Sequence, residues 1–176
     1  MSQPDQPIAD FSHCHEGIFK KLDQLSELPA LLEPAQRARE VAGKSLEFFR
    51  EAIFEHHLDE ERELFPAVLE SALDDAERFR VQSMNKRLTD EHRELEKLWK
   101  SLESGLKKVV KGQFGEVNVS DLARLVSQYR AHAQFEEQEY LPLAQKVLGR
   151  NGNHMAALGL SLHMRHQNPS AFQFDV

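Results

Sequence analysis

The chain has 176 residues, which suits a single domain with a buried core. Its net charge of −7 and its lack of a lysine- or arginine-rich block argue against nucleic-acid binding. No apolar run approaches the roughly 20 residues of a membrane span, and the N-terminus has no apolar signal segment. Cys14 is the single cysteine and cannot form an internal disulfide. We therefore expect a cytoplasmic protein with neither nucleic acid nor membrane among its partners.

Two helices are predicted in the first part of the chain. Residues 1–9 are expected to form a loose arm. The first helix begins at Asp10 or Ser12 and ends at Leu28–Pro29, and Pro34 opens the second helix, which runs to about residue 71 with a kink near Pro66. Apolar residues and one histidine recur on one face of the first helix at three- and four-residue spacing: Phe11, His15, Ile18, Phe19, Leu22 and Leu25.

The rest of the chain also has helical periodicity. A third helix is predicted over about residues 74–111, with a break before Leu88 left open, and a fourth over 120–148. A short helix at 153–166 precedes a loose tail at 167–176. No segment alternates with a period of two, so no sheet is expected. The prediction is an all-α protein: an up-down-up-down four-helix bundle with a short additional C-terminal helix, forming one domain over residues 10–166.

A motif in the second helix is repeated in the fourth. When the two segments are aligned on their prolines, His56 falls on His132 and Glu60 falls on Glu136. The lone His15 and His92 repeat at almost the same offset. Each half of the chain therefore contains a single histidine followed by a His-x-x-x-Glu motif.

This repeat predicts a metal site. A histidine and a glutamate four residues apart lie on the same face of a helix, and here that face is apolar. A buried carboxylate costs several kcal/mol unless a positive charge meets it, and no lysine or arginine shares the inward stripe near these glutamates. A lone histidine on an apolar face is more often a hydrogen-bonded core residue, but two matched motifs favour metal. The predicted ligands are His15, His56, Glu60, His92, His132 and Glu136.

Other histidines and acidic residues lie near these six in the sequence. His57 lies about 100° around the helix from His56, and it is a further candidate together with Glu96, either as a ligand or as a residue that orients one. Glu61 and Glu137 are expected to be solvated or to accept hydrogen bonds from histidine N–H groups. The histidines without a repeated partner are expected at the surface, with the role of the last two left open: His13, His154, His163 and His166.

The order of these residues, with the Glu-Glu-x-x-Leu-Phe-Pro and Glu-Glu-x-x-Tyr-Leu-Pro that complete the two motifs, resembles the hemerythrin-like family of HHE cation-binding domains over about residues 10–148. The resemblance implies a non-haem di-iron centre with an oxo or hydroxo bridge. Glu60 and Glu136 would bridge two Fe ions, and the terminal ligands would be His15, His56, His92 and His132. Imidazole and carboxylate donors also suit zinc and manganese, which rank behind iron here.

Two departures from the oxygen-carrying hemerythrins bear on function. Those proteins have a second histidine on the third helix, where this chain has Glu96, and an aspartate bridge where it has Glu136. The four histidines leave two coordination positions open, against one in the oxygen carriers, for water, His57 or Glu96 to fill. We expect a protein that binds or senses dioxygen, peroxide or nitric oxide. The alternatives are a di-iron peroxidase or nitric oxide/peroxide reductase, and an iron-storage or iron-responsive module. The protein partner and the oligomeric state stay open.

Overall fold

A computed structural model describes the backbone of residues 6–113 and 115–150, and the side chains of residues 17–49, 54–113 and 115–150. Within these residues the chain is helical and contains no strand, which confirms the predicted all-α class. The short helix and tail predicted after residue 152 lie outside the described residues, and so does the side chain of His15.

The helices are arranged as three long rods. The N-terminal rod, residues 6–70, runs without interruption through α1 (Gln6–Glu51), a π-helical turn, α2 (His57–Asp59), a second π-helical turn and α3 (Phe65–Glu70). The middle rod is α4 (Asp75–Val110). The C-terminal rod, residues 119–148, joins α5 (Val119–Phe135), a π-helical turn and α6 (Leu141–Leu148). The middle rod is antiparallel to the N-terminal rod, because Gly43 meets Val110 while Phe49 meets Trp99. It is also antiparallel to the C-terminal rod, because Ser101 meets Asp121 while Glu91 meets His132.

Side-chain caps and one glycine define the ends of the shorter rods. Asp74 accepts a hydrogen bond from the backbone N–H of Glu77, and Asn118 accepts one from Asp121, so each side chain satisfies a free donor at a helix start. Gly112 follows the end of α4 with φ of +67°, a conformation that glycine adopts without strain.

The predicted connection between the first and second helices is not seen, because α1 continues through Pro29 and Pro34. A proline inside a helix removes a hydrogen bond and costs about 3 kcal/mol. The residues between the two prolines, Ala30 to Glu33, are good helix formers and carry the helix across. Two of the predicted helices are therefore one helix in this conformation.

The buried core has two parts, one on each side of a polar layer. One part packs α3, the start of α4 and α6 together around Val68, Leu88 and Tyr140. The other packs the middle of α4 against α5 and the end of α1 through Leu95, Trp99 and their neighbours. The candidate site occupies the layer between them. No helix of the described chain is long and apolar enough to cross a membrane.

Candidate metal centre

Two matched π-helical turns carry the glutamates of the repeated motif. One spans Glu60–Leu64 and the other Glu136–Tyr140, and in each the widened backbone bond runs back to the glutamate carbonyl, from the N–H of Phe65 or Leu141. The next residue in each rod is a proline, which has no N–H to continue the α-helical ladder. The missing donor explains why the helix widens here. Such single π turns often lie at functional sites.

The described ligand candidates gather in one buried cluster. Ligand atoms of Glu60, His92, His132 and Glu136 all lie within 4.8 Å of one another, and a second overlapping group joins His57 to the two histidines. The His57 and His92 rings stack with centroids 3.8 Å apart and planes 6° from parallel. All three rods therefore contribute to one site.

The atoms that face one another in this cluster lack hydrogen-bond partners. His92 Nε2 lies 3.3 Å from Glu60 Oε2, and His132 Nε2 lies 3.2 Å from Glu136 Oε1, but neither contact has hydrogen-bond geometry. Both nitrogens of His57 are also buried and unpartnered. Unpartnered buried polar atoms are costly, and a cation bound among them would satisfy the facing carboxylate oxygens and one nitrogen of each imidazole. The donor set therefore fits a metal.

The outer nitrogen of each central histidine is held by a carboxylate. His92 Nδ1 lies 2.8 Å from Glu61 Oε1, and His132 Nδ1 lies 2.9 Å from Glu91 Oε2. Because an ionised carboxylate can only accept, each Nδ1 carries the hydrogen and each Nε2 is left with its lone pair toward the cluster. Carboxylate partners of this kind fix the tautomer of metal-binding histidines.

Each of these carboxylates also contacts an arginine of α4. Arg93 binds Glu61 and also lies 2.8 Å from Glu96. Arg87 Nε lies 2.8 Å from Glu91 Oε1. Each of the two central histidines is therefore linked through a glutamate to an arginine at the surface of α4.

His57 is kept neutral by its surroundings. Burial, together with the nearby His92 and His132, lowers its pKa to about 2. Only 1% of the residue is exposed. A neutral imidazole, with a lone pair free on one ring nitrogen, is the form that binds a metal ion.

For His132 and Glu136, in contrast to His57, neighbouring charges outweigh the effect of burial on the pKa. Burial disfavours the charged form of His132, but the carboxylates of Glu136 and Glu91 outweigh it and raise the pKa of the imidazole. Burial also opposes ionisation of Glu136, yet the adjacent imidazole of His132 outweighs it and lowers the pKa of that carboxyl.

Two tyrosines close the site on either side. Burial, with the charges of Glu136 and Glu60, raises the pKa of Tyr129 to about 12, and the same causes raise the pKa of Tyr140. The Tyr129 ring lies 6.1 Å from the His57 ring, and the buried Tyr140 packs on Phe65 with ring centroids 5.2 Å apart. Both phenols stay protonated at neutral pH.

The remaining predicted residues lie at or beyond the edge of the cluster. His56 Nε2 is 3.6 Å from Glu60 Oε1, and 47% of its side chain is exposed. Glu96 Oε1 is 3.8 Å from His57 Nδ1. His15 belongs to α1, and 41 residues of continuous helix would separate it from His56 by roughly 60 Å at about 1.5 Å per residue.

Glu91 is the site residue that the sequence analysis missed. It precedes His92 in sequence but holds His132, which lies on another rod. Glu61 likewise follows Glu60 and holds His92. The sequence shows an acidic residue next to a candidate ligand, but packing between rods determines which histidine that acidic residue contacts.

Over the residues that the structure describes, the chain is helical and contains a buried cluster of imidazoles and carboxylates that could bind a metal ion. The family model of the hemerythrin HHE cation-binding domain matches residues 6–144, and the chain belongs to this family. A protein of Haemophilus influenzae, described as uncharacterized, is 26% identical over 160 residues, which cover 87% of this chain and 90% of that protein. No solved structure matches the chain.

Proposed function

We propose that the protein holds two iron ions in the cluster and binds or senses dioxygen, peroxide or nitric oxide there. The observation that carries this proposal is the convergence of two carboxylates and three imidazoles whose facing atoms are buried and unpartnered. Mixed nitrogen and oxygen donors of this kind suit iron. In family members of this type, such a centre offers an open position to a small ligand and exchanges electrons with it.

The ligand set we propose keeps the residues of the repeated motif. Glu60 and Glu136, on different rods, would bridge the two ions. The terminal ligands would be His15, His56, His92 and His132, with His15 supplied by a fourth helix that completes the bundle. His57 is the further histidine that the geometry favours, since it is neutral, buried and stacked on His92. With His57 bound, one coordination position would stay open, the number found in the oxygen carriers.

The protein's own residues would orient the ligands and exclude bulk water. Glu61 and Glu91 hold the central imidazoles with Nε2 directed inward. Phe65 stacks on His92 with ring centroids 6.0 Å apart and covers one side of the cluster. A cavity of about 340 Å³ reaches His132 from between α4 and α5, and its rim includes Glu91 and Glu94. This cavity is large enough to admit a diatomic molecule or peroxide.

Metal analysis of the purified protein tests the proposal. After reconstitution under reducing conditions, we expect two iron ions per chain and a near-ultraviolet charge-transfer band. Glu60→Ala should lose both, whereas Glu137→Gln, a change at an exposed neighbour of Glu136, should retain both. One tightly held zinc ion per chain and no bound iron would contradict a di-iron centre.

Re-exposure of the reduced protein to air separates binding from turnover. A stable, reversible spectral change would support a binding or sensing protein. Continuous consumption of peroxide or nitric oxide by the reduced protein would instead support the enzymatic alternative.

A further inference from the structure

An open apolar groove runs along one side of the three rods. It has a volume of about 890 Å³ and is bounded by the second half of α1, α4 and α5. Its walls are mostly apolar and include Val41, Phe49, Trp99, Leu122 and Val126. Val41, Leu122 and Val126 remain well exposed, so the groove lacks a covering element within the described residues.

The first half of α1 has the complementary surface. Every residue from 17 to 41 is exposed. Seven large apolar side chains in this stretch are each at least 46% exposed: Ile18, Phe19, Leu22, Leu25, Leu28, Leu31 and Leu32. Soluble proteins rarely leave so long an apolar stripe in water. The stripe and the groove are parts of one chain, but they do not meet in it.

We propose that the groove is filled by the first half of α1 from a second copy of this chain, in a reciprocal exchange that forms a dimer. The groove follows α1 from Pro34 to Phe49, and the apolar stripe runs from Ile18 to Leu32. At about 1.5 Å per residue, both are roughly 21–24 Å long. Exchange buries two stripes and two grooves at once, which is the pattern of a closed two-fold dimer.

The unbroken course of α1 favours a second copy, rather than the same chain, as the source of the helix that fills the groove. The guanidinium of Arg39 lies beside Gly112 at the end of α4, and the groove begins at Pro34, so the residues before Pro34 extend past that end of the other rods. Folding the segment back would break the helix completely and reverse its direction. Crossing to a second copy needs only a change of path at Pro29 and Pro34, where two backbone donors are already missing.

The exchange would also complete the metal site, and this part rests on the proposed function. The point midway between His15 and His56 falls at Ala35–Gln36, close to the prolines. If two antiparallel α1 helices cross there, His15 of each chain lies level with His56 of the other. Leu25 of one chain then lies level with Leu46 of the other, between Ala42 and Phe49, which line the groove together with Leu122.

Cysteine pairing tests the exchange without relying on metal. Chains with Leu25→Cys and chains with Leu122→Cys, both in a Cys14→Ser background and with different tags, are co-expressed and mildly oxidised. We expect a disulfide between the two chains and a mass of about twice 20.2 kDa by light scattering. Phe79→Cys in place of Leu122→Cys is the control, because Phe79 is exposed but lies outside the groove, and it should give no link.

Two results would overturn the exchange. A chain carrying both cysteines that closes within itself and stays monomeric would show that its own helix folds back. A monomer in which neither pairing forms would show that the groove is not covered by this segment.

A complementation experiment then tests the contribution of His15. A mixed dimer of His15→Ala and His132→Ala chains contains one intact site if helices are exchanged, and none if each chain folds alone. We expect the mixed dimer to bind about half of the wild-type iron, and each homodimer to bind little. Iron in the His15→Ala homodimer would instead remove His15 from the proposed ligand set, and a cross-linked mixed dimer without iron would contradict the supply of His15 by the second chain.

Discussion

The Nδ1 atom of His92 lies 2.8 Å from Oε1 of Glu61, so the imidazole is held from behind while its Nε2 faces Glu60. His132 is held in the same way by Glu91. The two histidines are on different rods, and each is oriented by a carboxylate from a neighbouring rod. The repeated arrangement indicates that the direction of Nε2 is fixed before any metal binds.

Glu61→Gln should weaken metal binding without unfolding the protein. The amide oxygen can accept from Nδ1–H but lacks the negative charge that makes the imidazole more basic, so we expect a loss of about 10–100-fold in metal affinity. Competition with a chelator measures this loss. Glu137→Gln removes a similar charge next to Glu136 at an exposed position and should have little effect. Equal affinity in both variants would mean that Glu61 does not support the centre.

The contrast between His56 and His57 can be tested by substitution. His56→Ala should lose most of the bound iron while the metal-free protein keeps its melting temperature, because His56 is half exposed. His57→Ala should lose iron and also destabilise the metal-free protein by about 1–3 kcal/mol, because it opens a cavity in a buried stack. Metal content and thermal unfolding of both variants give the answer. Full iron content in His56→Ala would exclude His56 as a ligand.

The sequence predicted the helical class and the face that carries the buried histidines and glutamates, but not all of the candidate site. The repeat of His-x-x-x-Glu located Glu60 and Glu136 because spacing along one helix determines which side chains share a face. Choosing between His56 and His57 depends on the π-helical turns that end at His56 and begin at Glu60, and these shift the helical register. A regular period of 3.6 residues cannot anticipate such a shift.

Local sequence patterns also could not predict that α1 continues through its two prolines. Pro29 and Pro34 favoured a connection, since each removes a backbone donor. Whether a helix continues through them depends on what its apolar face finds to pack against. That packing partner is not part of the local sequence; in the proposed exchange it is the groove of a second chain.

The metal-free protein should lose stability as the pH falls from about 6.5. His57 has its pKa lowered to about 2 in the folded state, while the unfolded chain binds a proton near 6.5. Between these values the unfolded state holds one more proton, so the free energy of unfolding should fall by up to about 1.4 kcal/mol per pH unit. The raised pKa of His132 acts above pH 6.5, and the lowered pKa of Glu136 acts below about 4.5, so neither dominates this window.

Urea denaturation of metal-free wild type and His57→Phe between pH 6.5 and 5 measures this slope. Phenylalanine keeps an aromatic ring in the stack but cannot bind a proton, so the variant should have the flatter profile. Parallel profiles for the two proteins would show that His57 is protonated in the folded state or is accessible to water.

Removing the metal should lower the melting temperature, and Glu60→Gln should partly reverse that loss. Metal that binds only the folded chain stabilises it by about 2.7 kcal/mol at a hundred times Kd, which corresponds to roughly 5–10 °C for a chain of this size. Without metal, Glu60 and Glu136 face each other in a buried layer, where two like charges repel by several kcal/mol unless one is protonated. A glutamine at position 60 donates an N–H to Glu136 and needs no proton, so metal-free Glu60→Gln should melt above metal-free wild type while failing to bind iron tightly. Calorimetry of both proteins, with and without chelator, checks each step. If chelated and loaded wild type melt together, the cluster does not couple metal to folding; if metal-free Glu60→Gln is no more stable than wild type, carboxylate repulsion is not the cause.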